Sequence, residues 1–330
     1  MRIIVDGMGG DRGPGEIVRG CVDAIGEQDV NIIIAGKRDI LEGELLKYNF
    51  PRERIDIIDA DEVISNDEEP TLAIRRKKNS SMVMGMKALA EGTGDGFLSA
   101  GSTGALLAGG LFIVKRIKGI ERAALTTVYP TTEGVSLLLD AGANIDCKPQ
   151  YLGQFAIMGS IYSEKVLGVK NPRVGLANIG TEEGKGNALT KESYNLIGDL
   201  DINFAGNVEA RDLPNGVVDV IVCDGFVGNI ILKLTEGMAI SIFSLLKDEF
   251  SSSLRSKVGA LILKQQLRGL KGKLDYREYG GAPLLGVRRP VFKAHGSSDA
   301  LAIKNAIRQM KAFIDGNVID IIDRYINDNK

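Results

Sequence analysis

LSAGSTGALLAGG, residues 98 to 110, sets how the rest of the chain is read. An apolar run ends at Leu98, Gly101 and Gly104 bracket a Ser-Thr pair, and a helix of small residues follows without a charge. Glycines before a helix let the backbone approach a ligand closely. The free N–H groups of the first helical turn, together with the helix dipole, favour an anion. The hydroxyls of Ser102 and Thr103 add donors without adding charge. Such a turn suits a compact oxyanion such as phosphate; the plainer alternative is that Gly and Ser serve turn geometry alone.

The same rhythm recurs along the chain. Apolar runs at Arg2–Val5, Asn31–Ala35, Ile55–Ile58, Gly96–Ser99, Ser136–Leu139, Val174–Asn178, Val218–Cys223 and Val291–Ala294 are expected strands, most of them ending in a glycine-rich turn. Continuous apolar strands alternating with helical segments predict an α/β sheet covered on both faces. Pro70 is expected to open a helix running to about Ala90, and Pro149 another through about Val166. Ser298 or Asp299 is placed as the cap of a last helix ending near Ile326. No long linker or strict repeat divides the chain, so residues 1–330 are expected to form one intertwined α/β/α body. In such sheets ligands sit beyond the carboxyl ends of the strands, which directs attention to the turns.

Composition narrows the function. The 330 residues carry a net charge of −2 and only 5% aromatics, which does not suggest a nucleic-acid binder. The three cysteines, Cys21, Cys147 and Cys223, are far apart and form no CxxC pair, which argues against a disulfide framework or zinc site and fits a reducing cytosol. The opening MRIIVDGMGG reads as an immediate strand rather than a secretory signal, and no uninterrupted apolar run reaches the ~18 residues of a spanning helix. A cytosolic protein is expected.

Named phosphate motifs do not fit. GTEEGKGNALT lacks one residue of a Walker loop before Gly184-Lys185, and Gly186 stands where the Mg²⁺-binding Ser/Thr belongs. DGMGGDRGPG places Arg12 where the third glycine of a dinucleotide fingerprint would be. Neither ATP nor NAD is supported, and no cofactor is expected. The turns carry Asp6, Asp11, Asn144, Lys185, Asn187, Asn229 and His295, residue types that taken singly are most often caps. His295 is the only histidine, so a His-rich metal site is excluded by count and no metal is expected. With no GxSxG elbow and no exposed thiolate in view, a substrate can itself be the nucleophile. Bound phosphate could fill that role, with the protein supplying orientation and oxyanion stabilisation.

Read together, VDGMGGD, AIRRKKNSSM, SAGSTGALL, LFIVKRIKGI, DAGAN, NIGTEEGKGN, GNVEARD, DGFVGNIILK, YGGAPLLG and KAHGSSD closely resemble the phosphate acyltransferase family, in order from about residue 2 to 310. The resemblance implies a three-layer α/β/α sandwich of the isocitrate dehydrogenase and phosphotransacetylase type, with a protruding helical segment at about 235–275. It implies transfer of a fatty acyl group from acyl-acyl carrier protein to inorganic phosphate, giving acyl phosphate for phospholipid synthesis. It also implies a homodimer that supplies a membrane glycerol-3-phosphate acyltransferase. Phosphate or substrate would then meet the turns of Asp6, Gly9, Gly10, Asp11, Gly101, Ser102, Thr103, Gly104, Asn144, Asn187 and Gly228. Lys185 could hold the anion or stabilise the thioester oxygen, Asn229 could donate to that oxygen, and His295 could orient phosphate or protonate the leaving thiolate. Two other functions stay open: a short-chain phosphotransacetylase using acyl-coenzyme A, and a non-catalytic phospho-ligand binding protein.

Two charge features stand apart. Arg75, Arg76, Lys77 and Lys78 form either a solvated helix face or a dock for acidic carrier protein. SSSLRSKVGALILKQQLRGLKGK, residues 251 to 273, has six basic residues, no acidic ones and an apolar VGALIL tip. Arg255, Lys257, Leu261, Leu263, Lys264 and Arg268 could serve dimerisation, carrier-protein contact or an interfacial membrane contact. Dimerisation is expected of the flanking helices and peripheral contact with the inner face of the membrane of the tip.

Overall fold

The structure, a computed structural model, describes residues 1–273 and 280–328; side-chain surroundings at Arg268 and residues 270–273 lie outside that description, and with them the reading of Arg268 as a contact residue. The strands are β1 (Arg2–Asp6), β2 (Asn31–Gly36), β3 (Ile55–Asp59), β4 (Gly96–Ser99), β5 (Ala124–Thr131), β6 (Gly134–Leu139), β7 (Val174–Asn178), β8 (Phe204–Glu209), β9 (Val220–Val222), β10 (Gly281–Leu285) and β11 (Val291–Ala294). Among the described residues they form one 11-stranded sheet in the order β3-β2-β1-β4-β11-β10-β5-β6-β9-β7-β8. The expected strands are all present; β5, β8 and β10 are additions.

Side-chain alternation explains the layers. In β1, Ile3 and Val5 enter a core with the helices Pro14–Glu27, Pro149–Lys165 and Ala300–Asp315, whereas Ile4 joins Met82, Met86 and Phe97 on the opposite face. Leu138 and Ile221 repeat the arrangement in the other half of the sheet, packing with Ile231 and Leu232 of the long helix Gly225–Ser251. Both faces are therefore covered, and the fold is a mixed α/β sandwich.

The direction of the strands matters for the site. β1, β2, β3, β4 and β11 are mutually parallel, and so are β6, β7, β8 and β9. Between these blocks, β10 is antiparallel to β11 and to β5, and β5 is antiparallel to β6. The blocks thus run in opposite senses, and their carboxyl ends leave the sheet at opposite edges.

Two expected helices are divided. The segment after Pro70 forms Pro70–Arg76 and Ser81–Ala90, because Ser80 turns out of helical geometry and its hydroxyl caps Val83 N. Asp299 caps Ala300–Asp315 as expected, but Asn317 at φ 49° separates it from Val318–Asp328. The helix Pro149–Lys165 forms as expected. Residues 225–273 form the helices Gly225–Ser251, Leu254–Ile262 and Lys264–Lys273, an arm whose outer part is largely exposed.

Candidate active site

Hydrogen bonds and charge interactions sort the turn residues into three groups. The first lies at the carboxyl ends of β1, β4 and β11. Ser99 Oγ donates to Asp6 Oδ2 at 2.7 Å and accepts from Gly101 N at 3.0 Å, tying the first glycine turn to the second. Gly9 lies against Gly101: a Cβ there would stand 2.7 Å from Gly101 N and 2.8 Å from Asp6 Oδ2, so no larger residue fits. Asp11 N donates to Gly296 O at 2.7 Å, bringing in the turn that carries His295. Ser102 caps its own helix, its hydroxyl accepting from Ala105 N at 3.4 Å. The helix Thr103–Gly109 leaves the amides of Thr103 and Gly104 without intrahelical acceptors.

Lys293 completes this group. It sits on β11, only 9% exposed, and its ammonium donates to Ala100 O at 3.3 Å and to Ala294 O. Burial pushes its pKa down to about 8, while Asp11 and Asp6 pull in the other direction. His295 Nδ1 lies 2.8 Å from Ser297 Oγ and accepts from Ser297 N at 3.2 Å. In the neutral ring that places the proton on Nε2. Burial, then the neighbouring Lys293 cation, hold the His295 pKa below its usual value, with Glu236 opposing.

The second group lies at the carboxyl ends of β6 and β9. The fully buried Asp140 accepts from the amides of Leu125, Gly142, Ala143 and Asn144 and from Asn144 Nδ2. Burial raises its pKa, against these hydrogen bonds. Asn144 Nδ2 also donates to Ala123 O at 2.8 Å, so both of its amide hydrogens hold the turn together. Gly228 packs directly on the Asp140 carbonyl, where an added Cβ would stand 1.9 Å from the oxygen. Asn229 follows, exposed and beside Gly142.

The third group is the loop after β7. Asn178 Nδ2 donates to Lys185 O at 3.1 Å and Asn207 Oδ1 at 3.0 Å, while Asn207 Nδ2 holds Glu182 O at 2.9 Å. Lys185 projects from this clamp, half exposed, 3.9 Å from Glu182. Asn187 caps the next helix, accepting from Thr190 N at 2.9 Å.

The turns therefore do not share one strand edge. What links the first group to the second is the long helix Gly225–Ser251, which starts at Asp140 and Asn144 and reaches the other edge. Lys233, one helical turn of ~5.4 Å beyond Asn229, exerts its charge on both Lys293 and His295. Its own partner is Glu236 at 2.8 Å, and Thr235 meets Tyr129 at 3.1 Å along the way. Lys233 and Lys293 were missed in the sequence. Lys293 carries a legible signal, being the one charged residue of the strand VFKA.

The thiols are poor nucleophiles. Burial pushes Cys147 up to about 12, with Asp140 and Asp224 adding to the effect, and drives Cys21 and Cys223 upward as well. Among the described residues no group of three or more His, Cys, Asp or Glu is placed to hold a metal. Two open pockets lie elsewhere: one of about 310 Å³ between Arg19 and Lys304, the other of about 250 Å³ between Phe243 and Leu267 in the arm. The first group is an assembly of backbone turns.

The charged surface is also rearranged. Arg75 lies over the Phe112 ring at 5.7 Å, and Arg76 and Lys78 are exposed. Lys77 is instead occupied, donating to Glu68 at 2.7 Å and to Val63 O at 2.8 Å, so it props its own loop. Arg255, Lys257, Leu261, Leu263 and Lys264 are exposed on the arm.

A family model described as "Fatty acid synthesis protein" matches residues 1–321. A phosphate acyltransferase of Alkaliphilus oremlandii is 56% identical over 99% of this chain and 98% of its own length. One from Clostridioides difficile is 54% identical over 99% and 96%. A phosphotransacetylase structure from Streptococcus pyogenes superposes with a TM-score of 0.63 over 97% of this chain and 94% of its own, at 20% identity, a likeness of fold. A family match over residues 1–321 and identities of 56% and 54% along almost the whole length place the chain in the phosphate acyltransferase family: it is an acyltransferase.

Proposed function

We propose that the chain moves a fatty acyl group from acyl-acyl carrier protein to inorganic phosphate, with acyl phosphate and free carrier-protein thiol as products. The observation that carries this reading is a set of joined glycine turns with Lys293, His295 and Lys233 beside them and every thiol held protonated. A phosphate oxygen attacks the thioester carbonyl, the C–S bond of the tetrahedral intermediate breaks, and the thiolate takes up a proton. A thioester is already activated, so orientation and charge stabilisation suffice. Neutral His295, with its proton on Nε2, orients phosphate or donates to the departing sulfur. Asn229, one helical turn before Lys233, acts on the thioester oxygen, and Lys185, on the separate loop after β7, meets the acyl donor away from Lys293.

The arm supports a further part of this reading, that the enzyme is a homodimer touching the membrane. The helix Gly225–Ser251 is long and apolar enough to span a bilayer by composition, with mean hydropathy 1.4 over 18 residues, yet its first turns are fixed on the sheet. Phe226, Ile230, Leu234, Met238, Ile242 and Leu245 are exposed on it, an apolar surface suited to a second copy. The basic residues and exposed Leu261 and Leu263 at the tip suit an anionic interface. Release there would pass a labile acyl phosphate to a membrane glycerol-3-phosphate acyltransferase.

Incubation of acyl-acyl carrier protein with phosphate tests the reaction through free thiol and hydroxylamine-trappable acyl phosphate, which should appear together. Thiol release without phosphate would instead identify a thioesterase. The phosphotransacetylase-like fold motivates one rival reading, a short-chain acyl-coenzyme A as donor, and a side-by-side donor comparison separates the two.

A further inference from the structure

We infer that Lys293 is the phosphate anchor, a binding residue that holds the nucleophilic anion at the junction of β1, β4 and β11 through the ammonium hydrogen not used by the backbone. The inference rests on the functional reading above and names the residue that recognises one of its substrates. A lysine ammonium has three donors. Two are directed at Ala100 O and Ala294 O, and no further hydrogen bond to Lys293 is found among the described residues. The cation is nine-tenths buried, yet neither Asp6 nor Asp11 forms an ion pair with it: they act on it only through space. Asp6 is held instead by Ser99 Oγ and Met8 N. Holding an ammonium in such a place costs stability unless something compensates, and a bound anion provides that compensation.

The surroundings fix the chemical class. Ala100 O, which accepts from Lys293, belongs to the residue directly before the Gly101-Ser102-Thr103-Gly104 turn, so the ammonium lies against the backbone that leads into that turn. His295 follows two residues along the chain, and Lys233 approaches from the long helix with Glu236 beside it. The charged groups facing Lys293 are Asp6 and Asp11 from the first turn and Lys233 from the helix. A small tetrahedral oxyanion suits this place.

Two measurements test it. Lys293→Met keeps the length of the side chain and removes its charge. Affinity for inorganic phosphate, read by isothermal titration, should fall about 10- to 100-fold, as expected for loss of one charged hydrogen bond. The KM for acyl-acyl carrier protein should hold. The second measurement needs no variant. The wild-type kcat/KM for phosphate should decline about tenfold per pH unit above about 8 as the free ammonium loses its proton. A folded variant with unaltered phosphate affinity overturns the inference. So does a wild-type profile that stays flat to pH 10, which decides the matter even where the variant does not fold. If wild-type protein binds phosphate through Lys293 but releases no thiol from acyl-acyl carrier protein, the anchor stands and the functional reading fails.

Discussion

Ser99 and Asp6 are 93 positions apart in sequence and 2.7 Å apart through a fully enclosed hydrogen bond, with the same Ser99 hydroxyl also accepting from Gly101 N. Ser99→Ala leaves a buried carboxylate oxygen and a buried amide unsatisfied. Each such group costs about 1–3 kcal/mol. A urea titration should show a lower midpoint with an unchanged slope, and phosphate affinity should weaken with it, because this bond fixes the spacing of the two glycine turns.

Lys185 and Asn229 separate activity from stability. Lys185 is half exposed with a 3.9 Å partner, a pair of the kind that contributes little to folding. Lys185→Ala should therefore leave the melting temperature in place while turnover falls about 10- to 100-fold, the equivalent of a charge-assisted contact of ~1.5–3 kcal/mol. Asn229→Ala should likewise lower turnover with little change in melting. Unaltered kinetics in both would place the thioester elsewhere.

Stability itself should depend on pH through Lys293. Its pKa falls from 10.5 when exposed to about 8 in the fold, so between those values the unfolded chain binds the extra proton. Stability must then rise with pH across that window, by about 3 kcal/mol for this residue taken alone. His295 has the same sign at lower pH: its depressed pKa contributes stability that is present above about 6.5 and declines as pH falls below it. Denaturant titrations from pH 5 to 10 should show both trends, and Lys293→Met should flatten the upper one.

The arm makes a forecast of its own. Leu261 and Leu263 are 70% and 44% exposed, and each Lys or Arg nearby adds about 1 kcal/mol at an anionic surface through a salt-screened field. Replacing both leucines by Glu should abolish co-sedimentation with anionic liposomes and leave the molecular mass in solution unchanged. Leu234→Asp should do the reverse, dissociating a dimer. Wild-type protein that ignores anionic liposomes at low salt would end the membrane proposal.

Much of the fold was legible because parallel strands buried on both faces are unbroken apolar runs. The strands that escaped are those whose composition contradicts that rule. β5 contains Pro130, β8 carries Gly206 and Asn207, and β10 is GAPLL with Pro283 inside it. Pro283 is tolerated because pairing with β11 ends there and pairing with β5 starts at Leu284; its carbonyl still accepts from Thr126 Oγ1 at 2.8 Å. The glycine turns were equally legible, but their grouping was not. That depends on the reversal of direction at β10 and β5, which no local pattern records. Lys233 was hidden for a related reason: it reaches His295 only because the long helix crosses from one sheet edge to the other.

The strand order also governs when the molecule can close during synthesis. β10 and β11 lie between β4 and β5, although β4 ends at Ser99 and β11 only begins at Val291. A nascent chain that has emerged as far as the arm therefore has two half-sheets, each with a bare edge of unpaired peptide groups. Such edges are templates for pairing with a neighbour. The C-terminal hairpin is the splice that joins them. The same stretch brings Lys293 and His295, so the last strands to be made also carry charge to the glycine turns.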